Sequence, residues 1–149
     1  MAYQSMLLLA LLFLTTTSLA HCYIINGTTI AAVQITGTVF CTVSGNPLPG
    51  VSSPGIAGIN VGVRCNGGTT DIAQALTNSA GFFSVALNLL DGLLFDPSHC
   101  VVYIKLPVAG CALLPPTGSL QAVPVLIGVV QSVVGAVANL ACGLLVHVV

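Results

Sequence analysis

The sequence predicts an all-β fold: a small antiparallel β-barrel or sandwich of about seven strands, stapled by disulfides and placed behind an N-terminal leader. Three observations predict it. Apolar residues recur at period two, stretches rich in Gly and Pro separate these runs, and six cysteines follow an apolar leader.

Residues 33–43 set Ile35, Gly37, Val39, Cys41 and Val43 on one face and Thr36, Thr38, Phe40 and Thr42 on the other, the pattern of a half-buried strand rich in Val and Thr. Residues 44–58 carry three Pro and four Gly, which no regular element crosses. Ile59, Val61, Val63 and Cys65 then alternate with Asn60, Gly62 and Arg64 as a second strand. Asn66-Gly67-Gly68 ends it, because Asn and Gly accept the positive φ of a tight turn. A third strand spans about residues 69–77. After Asn78-Ser79-Ala80-Gly81, a fourth puts Phe83, Val85, Leu87 and Leu89 on one face, and a fifth carries Cys100, Val102, Ile104 and Leu106. Residues 107–116 form another Pro and Gly loop, which holds Cys111.

Residues 123–149 lack any charge and are long enough for a membrane helix or a tail exchanged for a lipid anchor. Pro124, Gln131, Ser132, Asn139 and His147 interrupt the run, and loss of the tail would remove Cys142. Leu140, Cys142, Leu144, Val146 and Val148 alternate with their neighbours, so the prediction is a terminal strand with no integral membrane span.

Residues 1–20 read as a signal peptide: the apolar block from Met6 to Leu14 is too short to span a bilayer, and the small residues Ser18 and Ala20 suit a signal peptidase. The n-region has no Lys or Arg. Cleavage would leave residues 21–149 as a single secreted β domain beginning at His21. All six cysteines, Cys22, Cys41, Cys65, Cys100, Cys111 and Cys142, lie beyond that point, and an even number in an oxidising compartment predicts three bridges.

Arg64, Lys105, Asp71, Asp91 and Asp96 are the only side chains ionised near neutral pH, against roughly a quarter of residues in ordinary soluble domains. So few cations exclude a phosphate-reading, nucleic-acid-binding surface and a basic membrane-lytic face. They favour adsorption to apolar surfaces.

No catalytic residue can be named, and the chain is predicted not to be an enzyme. A Gly-x-Ser-x-Gly turn is absent, and Asp91 before Gly92 and Asp96 before Pro97 suit turns. No Cys-x-x-Cys pair occurs and His21, His99 and His147 are scattered, so no metal is expected. Gly55-Ile56-Ala57-Gly58 follows no βα unit, so it is a flexible loop and no cofactor is expected. Arg64 should point away from its apolar neighbours into solvent. Asn26-Gly27-Thr28 is a glycosylation sequon, which makes Asn26 the candidate sugar acceptor.

Ile35-Thr36-Gly37-Thr38-Val39-Phe40-Cys41, Ile59-Asn60-Val61-Gly62-Val63-Arg64-Cys65 and the run from Thr77 through Gly81, Phe82 and Phe83 to Leu87 occur in that order. With them the chain resembles the phylloplanins, of the broader pollen Ole e I (olive allergen and extensin) family, over about residues 33–106 and loosely in the tail. The resemblance implies a secreted β-barrel or sandwich without catalytic residues. It also implies a hydrophobic plant defence protein of the leaf surface, inhibiting germination of fungal or oomycete spores. Its partners would be the spore or pathogen cell-wall surface and the plant cuticle or cell-wall polymers. The alternative it carries is a structural or signalling protein of the cell wall. The family's cysteine order implies Cys41 with Cys111 and Cys65 with Cys100, leaving Cys22 for Cys142. Where the pollen allergens carry two close cysteines in the first strand, this chain has Cys41 alone.

The intact mass of the secreted protein is expected to correspond to residues 21–149, from His21 to Val149. A mass retaining the leader, or ending before Cys142, would contradict this reading.

Overall fold

The period-two segments pair into two five-stranded sheets that face each other across one apolar core. The computed structural model describes residues 24–25, 27–89, 96–133 and 135–149. The leader, Cys22, the Asn26 sequon and Asp91 lie outside the described residues.

Ten strands are described: β1 (Ile24–Ile25), β2 (Thr28–Thr38), β3 (Asn60–Cys65), β4 (Ala73–Leu76), β5 (Phe82–Asn88), β6 (Cys100–Lys105), β7 (Ser119–Ala122), β8 (Pro124–Ser132), β9 (Gly135–Cys142) and β10 (Val146–Val148). The first sheet runs β1-β2-β9-β8, with β5 also paired to β2, and the second runs β10-β7-β6-β3-β4. These sheets form a sandwich, not a closed barrel, and more strands are present than the seven predicted. Nor is the pairing wholly antiparallel: β2 and β9 run parallel, from Ile30 opposite Ala136 to Thr36 opposite Ala141.

The core follows the alternation. Val33 and Ile35 of β2, Val61 and Val63 of β3, Phe83, Val85 and Leu87 of β5, Val102 and Ile104 of β6, and Ala138 and Leu140 of β9 are all buried. A register shift between Ile30 and Ala32 lets Ile30 and Val33 both turn inward despite their odd spacing. Gly37 is required by close approach. A Cβ there would lie 2.7 Å from both the Cys142 Cβ and the Phe83 ring.

Two boundaries differ from the predicted ones. The first long strand begins at Thr28 and stops at Thr38, so Cys41 and Val43 lie in a loop. There Phe40 makes an isolated bridge to Gly55, with the Ile56 N–H donating to the Val39 carbonyl at 3.0 Å and the Val39 N–H donating to the Gly81 carbonyl at 2.9 Å. The terminal strand predicted over Leu140 to Val148 is divided between the end of β9 and β10, and the uncharged run 123–149 also holds β8. Its alternation changes phase at Gly143, so that Leu144 is exposed and Leu145 buried. Asn46 holds this break: its Nδ2 donates to the Leu145 carbonyl at 2.9 Å, and the Leu145 N–H donates to its Oδ1 at 2.8 Å.

Asn66 and Gly67 both have positive φ, and the Gly68 N–H donates to the Cys65 carbonyl at 3.1 Å, which is the tight turn expected after β3. Beyond β4, the buried Thr77 hydroxyl donates to the Ile56 carbonyl at 2.6 Å and accepts from the Ile59 N–H at 2.9 Å. Replacing Thr77 with Val keeps the shape and strands both backbone partners. The expected loss is about 1–3 kcal/mol in urea unfolding, with Thr77→Ser costing less. Equal stability of Thr77→Val and the parent would refute this role.

Candidate functional site

The side chains singled out in the sequence separate into covalent staples, turn formers and two exposed surfaces. Cys65 and Cys100 stand opposite each other in the β3–β6 register and are bridged. Cys41 is bridged to Cys111 across 70 residues, tying the loop after β2 to the loop after β6. Both links close long loops, and each restricts the unfolded chain by about 2–5 kcal/mol. Cys142, at the end of β9, is a thiol without a bridge among the described residues. Burial against the core raises its pKa from 9.0 to about 11.

Asp96 is a turn former. Its carboxylate accepts from the Ser98 hydroxyl at 2.7 Å and from the Ser98 N–H at 3.0 Å, capping the short 3-10 turn Pro97–His99. These bonds, with the nearby His99 imidazole, hold its pKa below the usual carboxylate value. His147 sits in β10 with Nε2 2.8 Å from the Thr117 carbonyl. Because a carbonyl only accepts, that nitrogen carries the proton.

The first surface is apolar. β8 ends the first sheet, and no strand pairs with its outer edge among the described residues. Its side chains are exposed on both faces: Val125 at 57% and Val130 at 51% on the outer one, Leu126 at 41% and Val129 at 36% on the face shared with the buried Leu140 and Ala138, and Ile127 at 67% between them. A single-sided core strand would hide every second one. A shift in register between Leu126 and Gly128 leaves Ile127 without a partner residue on β9. Edge strands usually carry charge or Pro to discourage association, and in β8 only Pro124, at its start, answers that description.

The second surface is polar and lies on the outer face of the other sheet. Arg64 is not simply solvated as predicted. Its Nε donates to Asp71 Oδ1 at 2.7 Å, and its guanidinium carbon lies 3.9 Å from the centre of the Tyr103 ring. The second Asp71 oxygen accepts from Gln74 Nε2 at 2.8 Å. The hydrogen bond that Arg64 donates to Asp71 raises its pKa, so this guanidinium stays charged. Sequence reasoning missed the Arg64–Asp71–Tyr103 cluster. Its signal was that Arg64 and Asp71 flank a turn.

Among the described residues, no group of three or more His, Cys, Asp or Glu side chains is placed to hold a metal. No described helix is long and apolar enough to cross a membrane. What the geometry offers is binding and adsorption: a disulfide-stapled β-sandwich with an apolar edge and a small charged recess.

Residues 29–147 match the family model described as "Phylloplanin antifungal protein". The chain therefore belongs to the phylloplanin family. It is 33% identical over 85 residues to the phylloplanin of Nicotiana tabacum, covering 56% of this chain and 53% of that protein, so it spans about half the length of this relative. A solved structure, the major plantain pollen allergen Pla l 1, aligns at 15% identity over 76% of this chain and 96% of that one, with a TM-score of 0.39.

In a Cys22→Ser variant, where Cys142 is without the partner proposed for it, a pKa near 11 leaves about one Cys142 thiol in a thousand ionised at pH 8. Iodoacetamide is expected to leave Cys142 unmodified in the folded variant, read by peptide mass mapping. Rapid alkylation of the folded variant at that pH would contradict its burial.

Proposed function

We propose that this protein is a secreted surface and defence protein that coats apolar surfaces through strand β8 and suppresses germination of fungal or oomycete spores on the aerial surfaces of a plant. The observation that carries the adsorption is an edge strand whose outer side is unpaired among the described residues, with Val125, Ile127 and Val130 exposed. An apolar edge of this kind is more favourably placed against wax or another apolar phase than against water. Support for the antifungal action comes from the description of the matched family. No turnover is required. With five charged side chains in the whole chain, adsorption needs no Coulombic partner and survives moderate salt. Two further features belong to the same reading: a sugar on Asn26 adding polar surface, and a Cys22–Cys142 bridge fixing the start of the secreted chain to the end of β9.

The test replaces Val125, Ile127 and Val130 together with Thr, which keeps β-branching and removes apolar surface. Stability is expected to change little, since the three side chains face solvent. Retention on an alkyl-coated surface is expected to fall severalfold, and spore germination in the presence of the variant to recover in parallel. Inhibition by the parent protein at no dose, with specific retention on isolated wall polymers instead, would reject the defence reading in favour of a structural role in the wall.

A further inference from the structure

We propose that the recess over Gly62 and Tyr103 binds a polyuronate, a saccharide chain bearing a carboxylate on successive sugars. The recess has a volume of about 460 Å³ and is lined by Asn60, Gly62, Arg64, Asp71, Tyr103 and Lys105, among others. That volume falls within the roughly 300–1,000 Å³ of small-molecule sites. The chain has only two cations, Arg64 and Lys105, and both line it.

The local balance favours an anion. Asp71 is the one acid in the recess, and its two oxygens already accept from Arg64 and Gln74. It holds the Arg64 Nε, and the guanidinium, laid over the Tyr103 ring, has further N–H donors beyond that one bond. Lys105 makes no ion pair among the described residues. Arg64 and Asp71 offset each other as an ion pair, so the recess carries one net positive charge, with Lys105 as its unpaired cation among the described residues. Gly62 forms its floor. A Cβ there would press on the Asp71 carboxylate, so the absent side chain is what admits the Arg64–Asp71 pair.

The spacing favours an extended ligand over a single small acid. Arg64 stands opposite Val101 in the β3–β6 register, and Lys105 lies four residues further along β6. Four residues of strand span roughly 13 Å between backbone positions. Tyr103 and Gly62, which face each other between them, leave a shallow path joining the two cations. A chain of acidic sugars offers each cation a carboxylate of its own, whereas a single acidic sugar has one carboxylate for the two. Asn60 and Gln74 beside that path supply neutral hydrogen-bonding groups suited to sugar hydroxyls.

The experiment titrates the purified secreted protein with a galacturonic acid oligomer, following backbone amide shifts. Parallel titrations use the methyl-esterified oligomer and the galacturonic acid monomer. Shifts are expected at Gly62, Tyr103 and Lys105 with the free oligomer, weakening as salt rises. The esterified oligomer and the monomer are each expected to bind at least tenfold more weakly. Lys105→Gln, at an exposed position, is expected to fold normally and to weaken oligomer binding about threefold or more. Equal binding of the esterified oligomer or of the monomer, undiminished binding by Lys105→Gln, shifts confined to other strands, or no binding would each overturn the proposal. The inference is independent of adsorption through β8. The Thr replacements in β8 should leave oligomer binding unchanged, and Lys105→Gln should leave retention on an alkyl surface unchanged.

Discussion

The parallel pairing of β2 with β9 is the contact on which the rest of the architecture depends. It carries the C-terminal part of the chain back to the middle of the first sheet, where β9 has β2 on one side and β8 on the other. A strand in that position must be apolar on its inner face. Ala136, Ala138 and Leu140 supply that face, and the two alanines leave room for Ile30, Val33 and Ile35 of β2. The same pairing brings Cys142 against Gly37, where only a residue without a side chain fits. It also sends the chain onward into the other sheet through β10, so that one segment closes both halves of the sandwich.

This topology explains why the tail is so apolar without crossing a membrane as a helix. β9 needs apolar residues because it is central. β8 has them on both faces although it is an edge, and burial in the described fold does not account for Val125, Ile127 and Val130. Core packing would be served as well by a polar outer row. An edge with open backbone groups and apolar side chains carries an association hazard that many proteins suppress with charged side chains, and β8 has none. That apolar edge is the ground on which the proposed adsorption rests.

Much of the fold was legible because strands with one buried face record it in their alternation. β3, β5 and β6 appear almost where Val61, Val63, Phe83, Val85, Val102 and Ile104 placed them. The errors arose where alternation is lost or misleading. Val39, Cys41 and Val43 continue the pattern of β2, but only Val39 is buried, and Cys41 is drawn away to its bridge with Cys111. In β8, consecutive apolar residues carry no period because neither face is covered. At Gly143 a backbone break shifts the phase that Leu140 to Val148 seemed to keep. Parallel pairing leaves no local mark, since β2 and β9 lie about a hundred residues apart and no turn joins them. The charged recess was hidden for a related reason: Arg64 and Tyr103 are neighbours only through the β3–β6 register.

The scarcity of charge shapes both surfaces. Over the apolar edge it removes the hydrated groups that would hold water against the protein, so contact with an apolar phase displaces weakly bound solvent. Around the recess it has the opposite consequence. An ordinary surface surrounds any two cations with carboxylates that offset their field within a Debye length, about 10 Å at 0.1 M salt. Here Asp71 is the sole acid at the site, and Asp96 is bound to its own turn through Ser98. Arg64 shares its charge with Asp71, Lys105 has no ion pair among the described residues, and the same scarcity of charge on which the proposed adsorption rests leaves this recess with a net positive sign. Because β8 belongs to one sheet and the recess to the other, the side chains that serve adsorption and those that face an anion are distinct.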